Sequence, residues 1–150
     1  MEARIANPAT ILEAGGSIQD LYKSIYKGGV SQTVLELVHL RASQINGCAP
    51  CVFSGLSNLK KAEESHERIG LVAVWRDAPQ FTDEEKAALA LAEGATRMAD
   101  GADGVSDAVW DGAARFFDEK QLAAIVMMIA LTNLFNRLNA TTRQVAGAAW

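Results

Sequence analysis

The chain is poor in the residues that most often announce chemistry. Among 150 residues there are two cysteines, two histidines and three prolines. A zinc site built on the cysteines would have to recruit His39 and His66, or carboxylates, as its further ligands. A zinc site is therefore not expected. Basic clusters are also missing, with Lys60-Lys61 the only basic doublet. With a net charge of −4 and a pI of about 5.2, the electrostatic footprint of a nucleic-acid or membrane-surface binder is absent. The first residues lack the charged and apolar regions of a signal peptide, so a cytoplasmic protein is expected. No segment alternates at period two, which excludes an obvious strand.

What remains reads as one all-α domain over residues 1–150, since 49% of the residues are hydrophobic and a core can form without staples. Pro8 and Gly15-Gly16 predict a loose arm over residues 1–15. Ser17 predicts the cap of a helix running through Tyr26, ended by Gly28-Gly29. Ser31 predicts the next, to about Ile45, with Val34, Leu37, Val38, Ala42 and Ile45 as its buried stripe. Asn46-Gly47 breaks it, and a third helix starts at Cys48 and reaches about Glu64, with Pro50 tolerated in its first turn. A short helix over Glu67–Val74 leads to a turn at Pro79. Thr82 and Glu85 form a capping-box pattern opening a helix through Met98. A polar loop follows over Ala99–Gly104. Ser106 opens a helix to Phe116 or Phe117, and Asp118 one to about Leu134. Asn136–Ala146 reads as a separate terminal helix. Leu122–Leu131 is an unbroken apolar run, half the roughly 20 residues a bilayer span needs. It reads as a buried helix with surface left for another subunit, so oligomerisation through apolar helices is expected and membrane insertion is not. Trp75, Trp110 and Phe116 are assigned to core or interface packing.

The chemistry is concentrated at Cys48-Ala49-Pro50-Cys51. A free thiol, with pKa near 8.5, is only about 3% thiolate at pH 7. A helix N-terminus depresses that pKa, and a fall to roughly 6.5 would give about three quarters thiolate. Two sulfurs separated by two residues can close a disulfide, so a peroxide-derived sulfenic acid on one is resolved by the other. Glu36, on the preceding helix, is the candidate base. His39, three residues on, is the candidate to extend a relay. His66 has no evident partner and reads as inert.

The stretch Glu36-Leu-Val-His-Leu-Arg-Ala-Ser-Gln-Ile-Asn-Gly-Cys48-Ala-Pro-Cys51 resembles the AhpD-like alkylhydroperoxidases of the carboxymuconolactone decarboxylase superfamily. Trp75-Arg76-Asp77-Ala78-Pro79, Phe81-Thr82-Asp83-Glu84-Glu85 and Asn136-Arg137-Leu138-Asn139 resemble the same branch. The resemblance implies an all-helical homo-trimer or homo-hexamer without haem, flavin or metal. It implies hydroperoxide reduction through Cys48 and Cys51, recharged by a dithiol or protein reductant, with Glu36 in the proton relay. The family's relay histidine would fall at position 55, where this chain has Gly55, and Pro50 stands where some members carry histidine. Restoring histidine at 55 is, on sequence alone, the natural test of a weakened peroxidase. The helix-dipole reading favours Cys48 as the attacking sulfur and the resemblance favours Cys51, the assignment adopted here. Two other readings stay open, a non-catalytic or redox-sensing member and a cofactor-free lyase in which the cysteines are incidental.

Overall fold

The helix at Gln32–Ile45 (α3) is the axis of the molecule, because its neighbours enclose it on every side. A computed structural model describes residues 2–101 and 104–148. Within them lie eight α-helices and no strand. In chain order these are α1 (Pro8–Ile11), α2 (Gly15–Tyr26), α3, α4 (Ala49–Lys61), α5 (His66–Leu71), α6 (Asp83–Thr96), α7 (Asp107–Ala114) and α8 (Glu119–Thr142). Tighter 3₁₀ turns occupy Val72–Asp77 and Met98–Asp100. The second enters the expected 99–104 loop, of which residues 102 and 103 lie outside the described residues.

Local chemistry sets most helix starts. The hydroxyls of Ser31, Ser65, Thr82 and Ser106 each accept the backbone N–H three residues on. Thr82 and Glu85 close the predicted capping box, and Asp118 with Gln121 closes a second one. Each such cap contributes about 1 kcal/mol. Other boundaries move. The second helix begins at Gly15, two residues before Ser17, while α4 stops at Lys61 and α7 at Ala114. The N-terminal arm is not loose. Asn7 caps the single turn α1, and the Arg4 N–H donates to the Thr142 carbonyl at 2.9 Å.

Two apolar cores meet on α3. Val34, Leu35 and Val38 join Leu91 and Ala92 of α6 and Ile125, Met128 and Ile129 of α8. Leu37 and Leu40 join Leu59, Ile69, Val72, Trp75, Phe81 and Leu89 on the other flank. Each such side chain contributes roughly 1.5–3 kcal/mol on full burial. The single-stripe expectation is therefore too narrow. Leu35, Leu40, Glu36, His39 and Ser43 are also buried, while Ile45 is only half-buried. Trp75 is core, whereas Trp110 and Phe116 lie at the surface, 43% and 46% exposed.

The two expected helices at 118–134 and 136–146 are one. Asn136 does not break it, because its amide has partners in α3 and the following turn rather than in its own backbone. By length and composition α8 could cross a bilayer. Here it packs against α2, α3, α4, α6 and α7 and carries three buried asparagines. Its apolar run is two-sided. Ile125, Met128 and Ile129 are buried, whereas Val126, Met127 and Leu134 face outward.

Candidate functional site

The turn between α3 and α4 places the cysteines. Gly47 adopts φ 64°, and the Cys48 N–H reaches back to the Ser43 carbonyl at 3.0 Å, closing a Schellman-type end on α3. Glycine takes that left-handed turn without the 1–2 kcal/mol strain of other residues. Cys48 is then the N-cap of α4 and Cys51 lies in its first turn. Both thus sit where the helix dipole favours negative charge. Asn46 fixes the turn from α8's side, its amide donating to Asn136 Oδ1 at 2.8 Å and to Asn133 Oδ1 at 3.0 Å.

Cys48 and Cys51 are joined in a disulfide, with Cα atoms 5.4 Å apart. Both are nearly inaccessible, at 1% and 3% exposure. A cavity of about 390 Å³ nevertheless borders Cys48, walled by Pro50, Asn139, Arg143 and Gln144 among others. Asn139, itself buried, donates its amide to Cys51 Sγ at 3.2 Å and more distantly to Cys48 Sγ at 3.8 Å. Arg143 ends α8 at φ 56°, a left-handed conformation that costs a non-glycine residue about 1–2 kcal/mol.

Glu36 is buried, and its carboxylate is held by the Tyr26 hydroxyl at 2.6 Å and the Asn58 amide at 3.1 Å. Its hydrogen-bond partners are thus a phenol and an amide, and neither is a sulfur. The Tyr26 hydroxyl is pushed upward in pKa by burial and by donating to that carboxylate, and burial with the same charge takes Tyr22 to about 12. Tyr22, Tyr26, Ser54 and Asn58 wall a second cavity, of about 580 Å³, between α2 and α4.

His39 feels the charge of this carboxylate and reaches the backbone of Cys51. Its Nε2 is 3.2 Å from the Cys51 carbonyl and its Nδ1 is 3.1 Å from Thr132 Oγ1. A carbonyl only accepts, so Nε2 carries the proton and Nδ1 accepts from the threonine. The ring therefore contacts the Cys51 backbone. It also fills the space above Gly55, where an added Cβ would stand 3.1 Å from His39 Cδ2 and 3.4 Å from Leu40 Cβ. The missing side chain at 55 and the buried imidazole are two sides of one packing arrangement. His39 is engaged by Thr132 and the Cys51 carbonyl, and His66 is exposed on α5. Among the described residues no three metal-binding side chains come together.

Burial pushes the pKa of His39 down, against the opposing pull of Glu36 and the Cys51 carbonyl. The unfolded chain then binds this proton first, at about pH 6.5. The stability contributed by neutral His39 is complete above that pH and declines as pH falls toward the lower folded value. Thermal unfolding should therefore show a Tm that falls as pH drops below about 6.5, a fall flattened in His39→Gln. An unchanged slope in that variant would show that His39 is not the group responsible.

Sequence reasoning named Glu36, His39, Cys48 and Cys51 but missed Tyr26, Asn58, Thr132 and Asn139 as their partners. One signal was available. Asn133, Asn136 and Asn139 recur at three-residue spacing just after the apolar run of this helix, a pattern that calls for buried partners. A separate cluster joins the buried Glu93 to Arg41, Trp75 and the exposed Arg76. Burial pushes the Glu93 carboxyl up, but donation from those three outweighs it and holds the group below its ordinary value. That cluster ties α3, the 3₁₀ turn and α6 together.

Residues 13–94 match the carboxymuconolactone decarboxylase family. The uncharacterized protein YdfG of Bacillus subtilis is 31% identical over 122 residues, 81% of this chain and 82% of its own. A protein of unknown function from Agrobacterium tumefaciens, proposed there as the antioxidant defence protein AhpD, superposes with a TM-score of 0.89 at 27% identity. That match covers 99% of this chain and 100% of the other. The debrominase Bmp8 shares the fold, with a TM-score of 0.79 at 18% identity over 93% of this chain and 74% of its own.

Proposed function

This chain belongs to the carboxymuconolactone decarboxylase family, in its AhpD-like form, and we propose that it is a thiol-dependent peroxidase reducing hydroperoxides through Cys48 and Cys51. The observation that carries this reading is the disulfide at the head of α4, beside a cavity and under an amide donor. In the reduced protein the Cys51 thiolate, nearer the Asn139 N–H, attacks the outer peroxide oxygen. The O–O bond breaks, Cys51 becomes a sulfenic acid, and the departing alkoxide takes a proton to leave as alcohol. The Cys48 sulfur then displaces the sulfenic oxygen as water and the disulfide forms. A dithiol or protein reductant restores the two thiols by exchange, entering at Cys48 because that residue borders the cavity.

Glu36 and His39 are the proton-handling pair in this proposal. They lie three residues apart on α3 and interact electrostatically, and His39 touches Cys51. Arg143 supplies positive charge at the cavity wall, which suits an anionic hydroperoxide or an acidic reductant. The proposal keeps the expected trimer or hexamer, with a second copy covering Val126, Met127 and Leu134. Analytical ultracentrifugation giving a monomer would remove that part.

Peroxide consumption by the reduced protein, followed with several dithiol reductants, tests the activity. Sustained turnover with loss and recovery of two thiols supports it. A redox-sensing role is the second reading, favoured by the near-complete burial of both sulfurs. Consumption that stops after one equivalent with every reductant would decide for it.

A further inference from the structure

The Asn139 amide matters only if its nitrogen, and not its oxygen, faces the sulfurs. An asparagine side chain is nearly symmetric in shape, so packing alone does not choose between the two ends. A chain of contacts running in from the N-terminal arm makes the choice. The Ala9 backbone N–H can only donate, and it donates to Asn7 Oδ1 at 2.9 Å. With that oxygen committed, the other end of Asn7 is a nitrogen, and it donates to Asn139 Oδ1 at 3.3 Å. With its oxygen committed in turn, Asn139 presents its N–H groups to Cys51 Sγ at 3.2 Å and Cys48 Sγ at 3.8 Å. The direction of every bond follows from one obligate donor in the first turn of α1.

The arm is held in place for this. Arg4 donates its backbone N–H to the Thr142 carbonyl and its guanidinium to the Thr141 carbonyl, both at 2.9 Å. Gln144 returns a bond to the Ile5 carbonyl at 3.0 Å. Asn7 itself is buried, 132 residues distant in sequence from the asparagine it orients.

We propose that Asn7 is a positioning residue for the dithiol, fixing the Asn139 amide so that the reduced sulfurs always meet N–H donors. The proposal rests on reading Cys48 and Cys51 as a working redox pair. It assigns the arm a part in setting how readily that pair ionises. N–H donation favours a thiolate over a thiol, whereas an amide oxygen turned to the same sulfur disfavours it.

The test is a titration of the reduced protein, following thiolate absorbance, and it needs no peroxide. A protein without any peroxidase activity can still pass it, so the two readings fail separately. Asn7→Ser keeps a good cap on α1 and adds no charge, but its short hydroxyl cannot orient Asn139. It should raise the lower thiol pKa by about 0.5–1 unit, and Asn139→Ala by about 1 unit, the scale of one hydrogen bond to a charged group. The double variant should match Asn139→Ala alone, because Asn7 acts only through that amide. Additive shifts, or an unmoved pKa in Asn7→Ser, would overturn the proposal. A measurement on the unaltered protein guards against misfolded variants. The Asn139 side-chain amide protons, seen by selective labelling and NMR, should move with the thiol titration, and their indifference to it would equally overturn the assignment.

Discussion

With serine at position 48 or 51, peroxide turnover falls to background, at least about 10³-fold below the unaltered protein. A serine hydroxyl is not ionised near neutral pH and cannot take oxygen from a peroxide, so the attacking position tolerates no such change. The partner position is equally intolerant for another reason. Without a second sulfur the sulfenic acid has no resolving thiol, and each molecule stops after one event. The two variants are therefore equally inactive in steady state but differ in a single turnover. Cys48→Ser should consume one equivalent and accumulate a sulfenic acid on Cys51, trappable by a dimedone-type reagent. Cys51→Ser should consume none. The closer Asn139 bond, 3.2 Å against 3.8 Å, supports that order. The reverse pattern would move the attack to Cys48, the cysteine that borders the cavity. Full turnover in either variant would remove the dithiol mechanism altogether and favour a lyase in which the cysteines are incidental.

How much of this was legible in the sequence depends on how local the cause was. Ser31, Thr82 with Glu85, Ser106 and Asp118 mark helix starts because each satisfies N–H groups within three residues of itself, and the structure keeps all of them. The cysteine pair was legible for the same reason, since Gly47 and Pro50 impose a turn and a helix start around it. Glu36 and His39 were named, but their burial was not foreseen. A one-stripe reading of α3 assumes solvent on the far side, whereas α4, α6 and α8 together pack around it. Asn136 was read as a boundary because asparagine competes with helix backbone when nothing else binds it. Ser43 and Asn46, some ninety residues earlier, supply what does. Asn139 carries the family resemblance in sequence, but no role is legible there. Its role depends on Asn7 and on two sulfurs brought together only by the fold.

Gly55→His, the change that sequence alone recommends as a repair, should instead damage the protein. A β-carbon at 55 already crowds His39 and Leu40, at 3.1 and 3.4 Å, before any ring is added. Overpacking of this kind costs about 1–3 kcal/mol. Replacing a helical glycine returns only a few tenths of a kcal/mol in propensity. The unfavourable term wins, and the Tm falls. Turnover falls as well, because the incoming ring expels His39 from its contact with Cys51. His39→Ala should lower turnover by about 10²–10⁴, the range for a positioned acid–base group, and it removes the imidazole from the Cys51 carbonyl and from Thr132. Combined, the two substitutions are complementary. In the double variant the new imidazole at 55 enters the volume that His39 vacated, still one helical turn from Cys51 and beside Glu36. Stability and turnover should both recover, with turnover at least about 10-fold above His39→Ala alone. Such a result is non-additive in the direction expected of residues sharing one space. If Gly55→His alone raised turnover, or His39→Ala left it unchanged, the buried imidazole would be packing only, and the proton would have to leave Cys51 by a route that bypasses α3.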